Sequence, residues 1–142
     1  MGKVAQLADL VRRNVELLDG LAQAGAERVV SDPILLNAAL HMIQTSIQAL
    51  LDVSCHLLAE AGRKPPDSYA ELAGALAEAG FLSSEEASLM RRIAGFRNVI
   101  VHMYLRLNLE LLKEILEGRR YRDLLALASK LLLKAAELGV DP

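Results

Sequence analysis

Apolar residues recur at spacings of three and four along most of this chain, the period of a helix that buries one face. Val4, Leu7, Val11, Val15, Leu18 and Ala22 form such a stripe and predict a first helix over about Lys3–Gln23, with Gly25 as its stop. Ser31-Asp32-Pro33 offers a cap followed by a proline in the first turn, opening a long second helix to about Ala61. Gly62 closes that helix, and Pro65-Pro66-Asp67 forms a stiff connector. A short third helix is predicted over about Ser68–Ala79, capped by Asp67 and ended by Gly80. Ser83, with Glu86 three residues on, makes a capping box for a fourth helix carrying Leu89, Met90, Ile93 and Phe96. Asn108 caps a fifth helix ending near Gly118. A last helix over about Arg119–Leu138 is predicted to bury Leu124, Leu125, Ala128, Leu131 and Leu132. Strand signals are absent, with no sustained alternation and no Asn-Gly or Asp-Gly hairpin. The pattern predicts an all-α fold, an antiparallel up-and-down bundle of five to six helices, with residues 1–142 as a single domain.

Composition adds an expectation about assembly. Hydrophobic residues make up 53% of the chain and mean hydropathy is +0.27, more apolar material than a small bundle hides by itself. Burial between two copies is the natural outlet, so a homodimer is predicted. Pro33–Leu51 contains no charged residue and nearly reaches the length a bilayer requires. Asn37, His41, Gln44, Thr45, Ser46 and Gln48 make it too polar for a lipid-facing helix, so no membrane partner is predicted. Cys55 is the only cysteine, and the N-terminus has no signal-peptide core; both fit a cytoplasmic location. The net charge of −2 excludes a global field that would draw in nucleic acid, so any RNA contact has to come from a local patch.

Residues 97–104 read Arg-Asn-Val-Ile-Val-His-Met-Tyr and concentrate chemistry in a chain otherwise given to packing. Asn98 and His102 are four apart and share a helix face, so the amide can hold the imidazole in one tautomer. Arg97 and His102 are five apart and diverge by about 140° on an ideal helix. They meet on one phosphate only if the helix breaks near Val101–Tyr104, which is the expectation here, or if Arg97 reaches around.

A second polar feature runs along the long helix. Asn37, His41, Gln44, Gln48 and Asp52 recur at spacings of four and three with a single formal charge among them. Such a stripe reads either as a seam hydrogen-bonded within the bundle or dimer, or as a groove wall that places Gln48 and Asp52 beside Arg97 and His102. In the second case Asp52 orients His102 or pairs with Arg97. His41 and His56 are assigned to structure, and no Cys/His cluster or Gly-rich loop predicts a metal or cofactor. Arg119, Arg120 and Arg122 around Tyr121, with Arg91 and Arg92, read as solvated faces or, with Arg106, as the local basic patch.

Gly95-Phe96-Arg97-Asn98 followed by His102-x-Tyr104 resembles the Arg-x4-6-His signature of the HEPN superfamily, in the form found in its HepT-like toxin branch. The likeness extends through Leu50-Leu51-Asp52-Val53, Pro66-Asp67-Ser68-Tyr69, Leu76-Ala77-Glu78-Ala79-Gly80 and Asn108-Leu109-Glu110-Leu111-Leu112, covering roughly residues 37–116. The resemblance implies an all-helical homodimer acting as a metal-independent ribonuclease, paired with a minimal nucleotidyltransferase antitoxin. By the same resemblance Arg97 and His102 are the catalytic pair, Asn98 is the polar residue beside them, and Tyr104 is the tyrosine that the antitoxin adenylylates. The competing expectation is a non-catalytic module that binds nucleotide or docks a nucleotidyltransferase, in which the same residues only grip phosphate or take the modification.

Overall fold

The computed structural model describes residues 2–102 and 108–140, and for residues 100–102 the backbone alone. The described residues form seven α-helices, one more than the upper sequence expectation, and no strand. They are α1 (Lys3–Ala24), α2 (Ala26–Ser31), α3 (Pro33–Glu60), α4 (Leu72–Glu78), α5 (Ser84–His102), α6 (Leu109–Glu117) and α7 (Arg122–Leu138), with a 3-10 turn at Tyr69–Glu71 before α4. The short α2 is the extra element. It fills the link between α1 and α3 because Ala26, Val29 and Val30 are apolar enough to bury.

The long α3 is the axis of the bundle. By length and composition it could cross a membrane. In this fold it buries Leu36, Ile43, Ile47, Leu50, Leu51 and Leu58 against its neighbours, and it packs against α1, α2, α4, α5 and α7. Its start is defined by Asp32, whose carboxylate accepts from the backbone N–H of Ile34 at 2.8 Å and of Leu35 at 3.3 Å, with Pro33 in the first turn. Its end is a left-handed Gly62 (φ 76°), where the Arg63 N–H reaches back to the Leu58 carbonyl at 2.8 Å.

Other predicted punctuation is also present. The Glu86 carboxylate accepts from the Ser83 N–H at 2.8 Å, while the Ser83 hydroxyl accepts from the Glu86 N–H at 3.2 Å. Asn108 accepts from the Leu111 N–H at 3.1 Å. Two expectations are corrected. The third helix starts as a 3-10 turn with Ser68 at its N-cap and no side-chain cap bond, so Asp67 does not cap it. The last helix begins at Arg122 and buries Leu124, Leu127, Ala128, Leu131 and Ala135, leaving Leu125 half-buried and Leu132 exposed.

The phase of α7 follows from an anchor on α1. Asp19 Oδ1 accepts from the Tyr121 hydroxyl at 2.5 Å, from Arg122 Nε at 2.9 Å and from Arg119 Nη1 at 3.1 Å. Arg119 enters the corner with φ 51°, a left-handed conformation held by these contacts. Two of the arginines considered for a basic patch are therefore committed to an internal partner. The Arg122 and Tyr121 hydrogen bonds hold the Asp19 carboxyl down at about 2, while burial and the adjacent carboxylate push the Tyr121 phenol up to about 12. A second cross-link joins α1 to α3: buried Asn14 donates to the Met42 carbonyl at 3.2 Å, to Thr45 Oγ1 at 3.0 Å and to Ser46 Oγ at 2.9 Å.

Both cross-links can be tested. Asn14→Ala should lower the free energy of urea unfolding by about 2 kcal/mol with an unchanged m-value. Asp19→Asn should cost about 1 kcal/mol near neutral pH, because the site is partly solvated. The folded Asp19 carboxyl lies below its unfolded value of about 3.9, so its contribution is complete above that pH and lost as pH falls toward 2. The gap in melting temperature between wild type and Asp19→Asn should hold from pH 7 to about 4 and close toward 2.

Candidate active site

Helix α5 presents Arg97 to α3, where Gln48 meets it. Arg97 Nε donates to Gln48 Oε1 at 3.3 Å. The amide of Gln48 donates from its Nε2 to Asp52 Oδ1 at 3.0 Å, one turn further along α3, and makes a longer contact of 3.4 Å to the Tyr69 hydroxyl. Arginine only donates and an ionised carboxylate only accepts, so the two partners fix which end of the amide faces each. The guanidinium carbon of Arg97 also lies 5.1 Å from the centre of the Tyr69 ring, within cation–π range. Arg97, Gln48 and Tyr69 are half-buried, while Asp52 and Asn98 are exposed. Among the described residues, no hydrogen bond is made by the two amino groups of Arg97.

This arrangement brings together three of the groups singled out in the sequence. Gln48 touches Arg97 directly, and Asp52 reaches it through the amide of Gln48. Asn98 lies one residue along α5, on the wall of a cleft of about 800 Å³ that runs between α5 and the connector before α4. Arg91, Gly95, Cys55, Ser68 and Tyr69 share that wall. Burial, with a smaller contribution from Asp52, raises the Cys55 thiol above its ordinary value and keeps it protonated. A smaller apolar cavity of about 220 Å³ lies between α3, α5, α6 and α7, lined by Ile43, Ile47, Ile93, Phe96, Ile115 and Leu124, with Arg92 and Arg120 also on its wall.

Helix α5 runs unbroken as far as His102, the last described residue of this stretch, so Asn98 and His102 share a face of it. The side chain of His102, all of Tyr104 and Arg106, and the part of the expected break that falls on Met103 and Tyr104 lie outside the described residues. The rest of the polar stripe on α3 faces outward: Asn37, His41 and Gln44 are exposed, and Asn37 donates to the Pro33 carbonyl of its own helix at 2.7 Å.

Tyr69 is the site residue that the sequence left without a role. Periodicity gives no sign of it, because it sits on a 3-10 turn rather than on a helical stripe. Its clues were its place two residues after the Pro65-Pro66-Asp67 connector, where a stiff chain can hold a side chain in a defined position, and its membership of the Pro66-Asp67-Ser68-Tyr69 stretch in the family resemblance.

Comparison with known proteins bears on the fold and the family. Two solved chains share the fold at low identity. The first is a chain of a mutant of the toxin–antitoxin pair MntA–HpeT, with TM-score 0.78 and 15% identity, covering 92% of this chain and 98% of that one. The second comes from the tri-AMPylated Shewanella oneidensis HEPN toxin in complex with its MNT antitoxin, with TM-score 0.76 and 16% identity, covering 92% and 97%. A protein of Archaeoglobus fulgidus named "Putative RNase" is 29% identical over 131 residues, 90% of this chain and 97% of its own length. The family model described as Ribonuclease HepT-like matches residues 11–131. With most of its length matched, the chain belongs to the HepT-like ribonuclease family.

Proposed function

We propose that this protein is a metal-independent endoribonuclease toxin, silenced when a partner nucleotidyltransferase attaches AMP to Tyr104. The observation that carries the reading is the state of Arg97. Its Nε is bonded to the neutral amide of Gln48 and its guanidinium carbon lies over the Tyr69 ring, so its full positive charge remains for an anion. A fork of that shape matches the non-bridging oxygens of a phosphodiester. Family membership and the HEPN toxin chains that share the fold support the same reading.

In this mechanism an imidazole removes the proton of the ribose 2′-hydroxyl, and the 2′-oxygen attacks the adjacent phosphorus. The bond to the 5′-oxygen breaks, that oxygen takes a proton from an acid, and a 2′,3′-cyclic phosphate remains. His102 performs proton transfer near neutral pH. Arg97 stabilises the charge that builds on phosphorus, Asn98 orients His102 from one turn away, and Gln48 with Asp52 hold Arg97. One motif histidine per chain is short of a separate acid and base, so two protomers supply both. The exposed face of α3, with Ile34 at 80% exposure beside uncharged Asn37 and Gln44, suits a second copy of the same chain. An AMP on Tyr104, two residues beyond His102, adds phosphate charge where RNA phosphate has to bind.

Expression of the wild-type chain alone should arrest bacterial growth, and Arg97→Ala or His102→Ala should each relieve the arrest by lowering cleavage at least about 100-fold. A harmless wild type, as harmless as His102→Ala, would refute catalysis and leave the docking role. Intact mass after co-expression with the nucleotidyltransferase should rise in steps of one AMP, and Tyr104→Phe should abolish the increment. Adducts that persist in Tyr104→Phe would overturn the modification site.

A further inference from the structure

We infer that Tyr69 is a positioning residue for Arg97, holding the guanidinium plane in the attitude that receives a phosphodiester; the inference rests on the ribonuclease reading. The bond from Arg97 Nε to Gln48 Oε1 fixes one point of the guanidinium and leaves the plane free to swing about that axis. The Tyr69 ring, with its centre 5.1 Å from the guanidinium carbon, closes one face and removes the swing. With Nε bonded and one face covered, the remaining edge carries both amino groups, which is the edge that pairs with two phosphate oxygens. The ring does this work. Among the described residues, the Tyr69 hydroxyl hydrogen-bonds only with the amide of Gln48, at 3.4 Å, a length that makes the bond weak.

The placement of Tyr69 fits this role better than a packing role. It stands half-buried at the edge of the core, on a three-residue 3-10 turn, and its ring belongs to the same cleft wall as Asn98. It therefore contacts Arg97 while sharing a cleft with Asn98, and these two residues project about 100° apart from neighbouring positions of α5. An arginine on a solvated helix samples many rotamers, and a misplacement of about 1 Å in a phosphate-binding group costs up to about 100-fold in rate.

The test compares Tyr69→Phe, which keeps the ring, with Tyr69→Leu, which removes it. Cleavage of a 5′-fluorescein-labelled, mixed-sequence single-stranded RNA is measured beside thermal melting. Phe should stay within about threefold of wild type, and Leu should lose about tenfold or more in kcat with KM and melting temperature little changed. The second measurement is independent of turnover: the Nε–H signal of Arg97 in a 1H–15N spectrum, assigned by its loss in Arg97→Lys. The ring should shift that proton upfield in wild type and Phe, and the shift should vanish in Leu. An unmoved signal in Leu, full cleavage by Leu, or equal losses in Phe and Leu that track a drop in melting temperature would each overturn the proposal. If wild type itself fails to cut in an Arg97-dependent way, the ribonuclease reading falls, and the Nε–H signal alone decides whether Tyr69 holds Arg97.

Discussion

The bundle and its site depend on α3 having two faces. One face is a continuous apolar stripe from Leu36 to Leu58, and the helices that border the site are positioned against it. The other face turns outward and ends at the site. Gln48 stands on the boundary, half-buried, with its amide reaching α5 and Tyr69. An amide offers one acceptor and a pair of donors, and here all three contacts are made across three different elements. A change in the depth or rotation of α3 would break the contacts to Tyr69 and Arg97 together, while the contact to Asp52, made within α3, would move with the helix.

The site reaches the rest of the fold through a few polar cross-links. Asp19 ties α1 to the corner before α7, and Asn14 ties α1 to α3. Both are partly or wholly shielded from water, where a satisfied polar cluster specifies one packing and an unsatisfied one is costly. The Asn14 cross-link pins the relative slide of α1 and α3, the most extensive helix contact among the described residues. Because Gln48 rides on α3, the precision of that contact is inherited by Arg97.

Much of this was legible in the residues alone. Proline at the start of α3, the Ser83–Glu86 capping box, the Asn108 cap and the terminal glycines are local signals with local causes, and each appears as written. The pairing of Gln48 and Asp52 near Arg97 was readable as an open alternative, because a nearly uncharged stripe on an apolar helix demands an explanation. What escaped had a non-local cause. Nothing near Asp19 says that it meets residues 119–122 about a hundred positions later, where α7 starts at Arg122 and leaves Leu132 exposed. The apolar segment of α2 was too short for a periodic signal, and Tyr69 sits on a turn where periodicity carries no information.

The neutrality of Gln48 has a chemical corollary. A glutamate at that position would place a carboxylate against Arg97 and turn the proposed anion receptor into an internal ion pair, with almost no change in size or shape. Hydrolysis of a single amide performs that conversion. The same amide that keeps the guanidinium available is thus a point at which slow ageing of the polypeptide can extinguish the site while leaving the bundle intact.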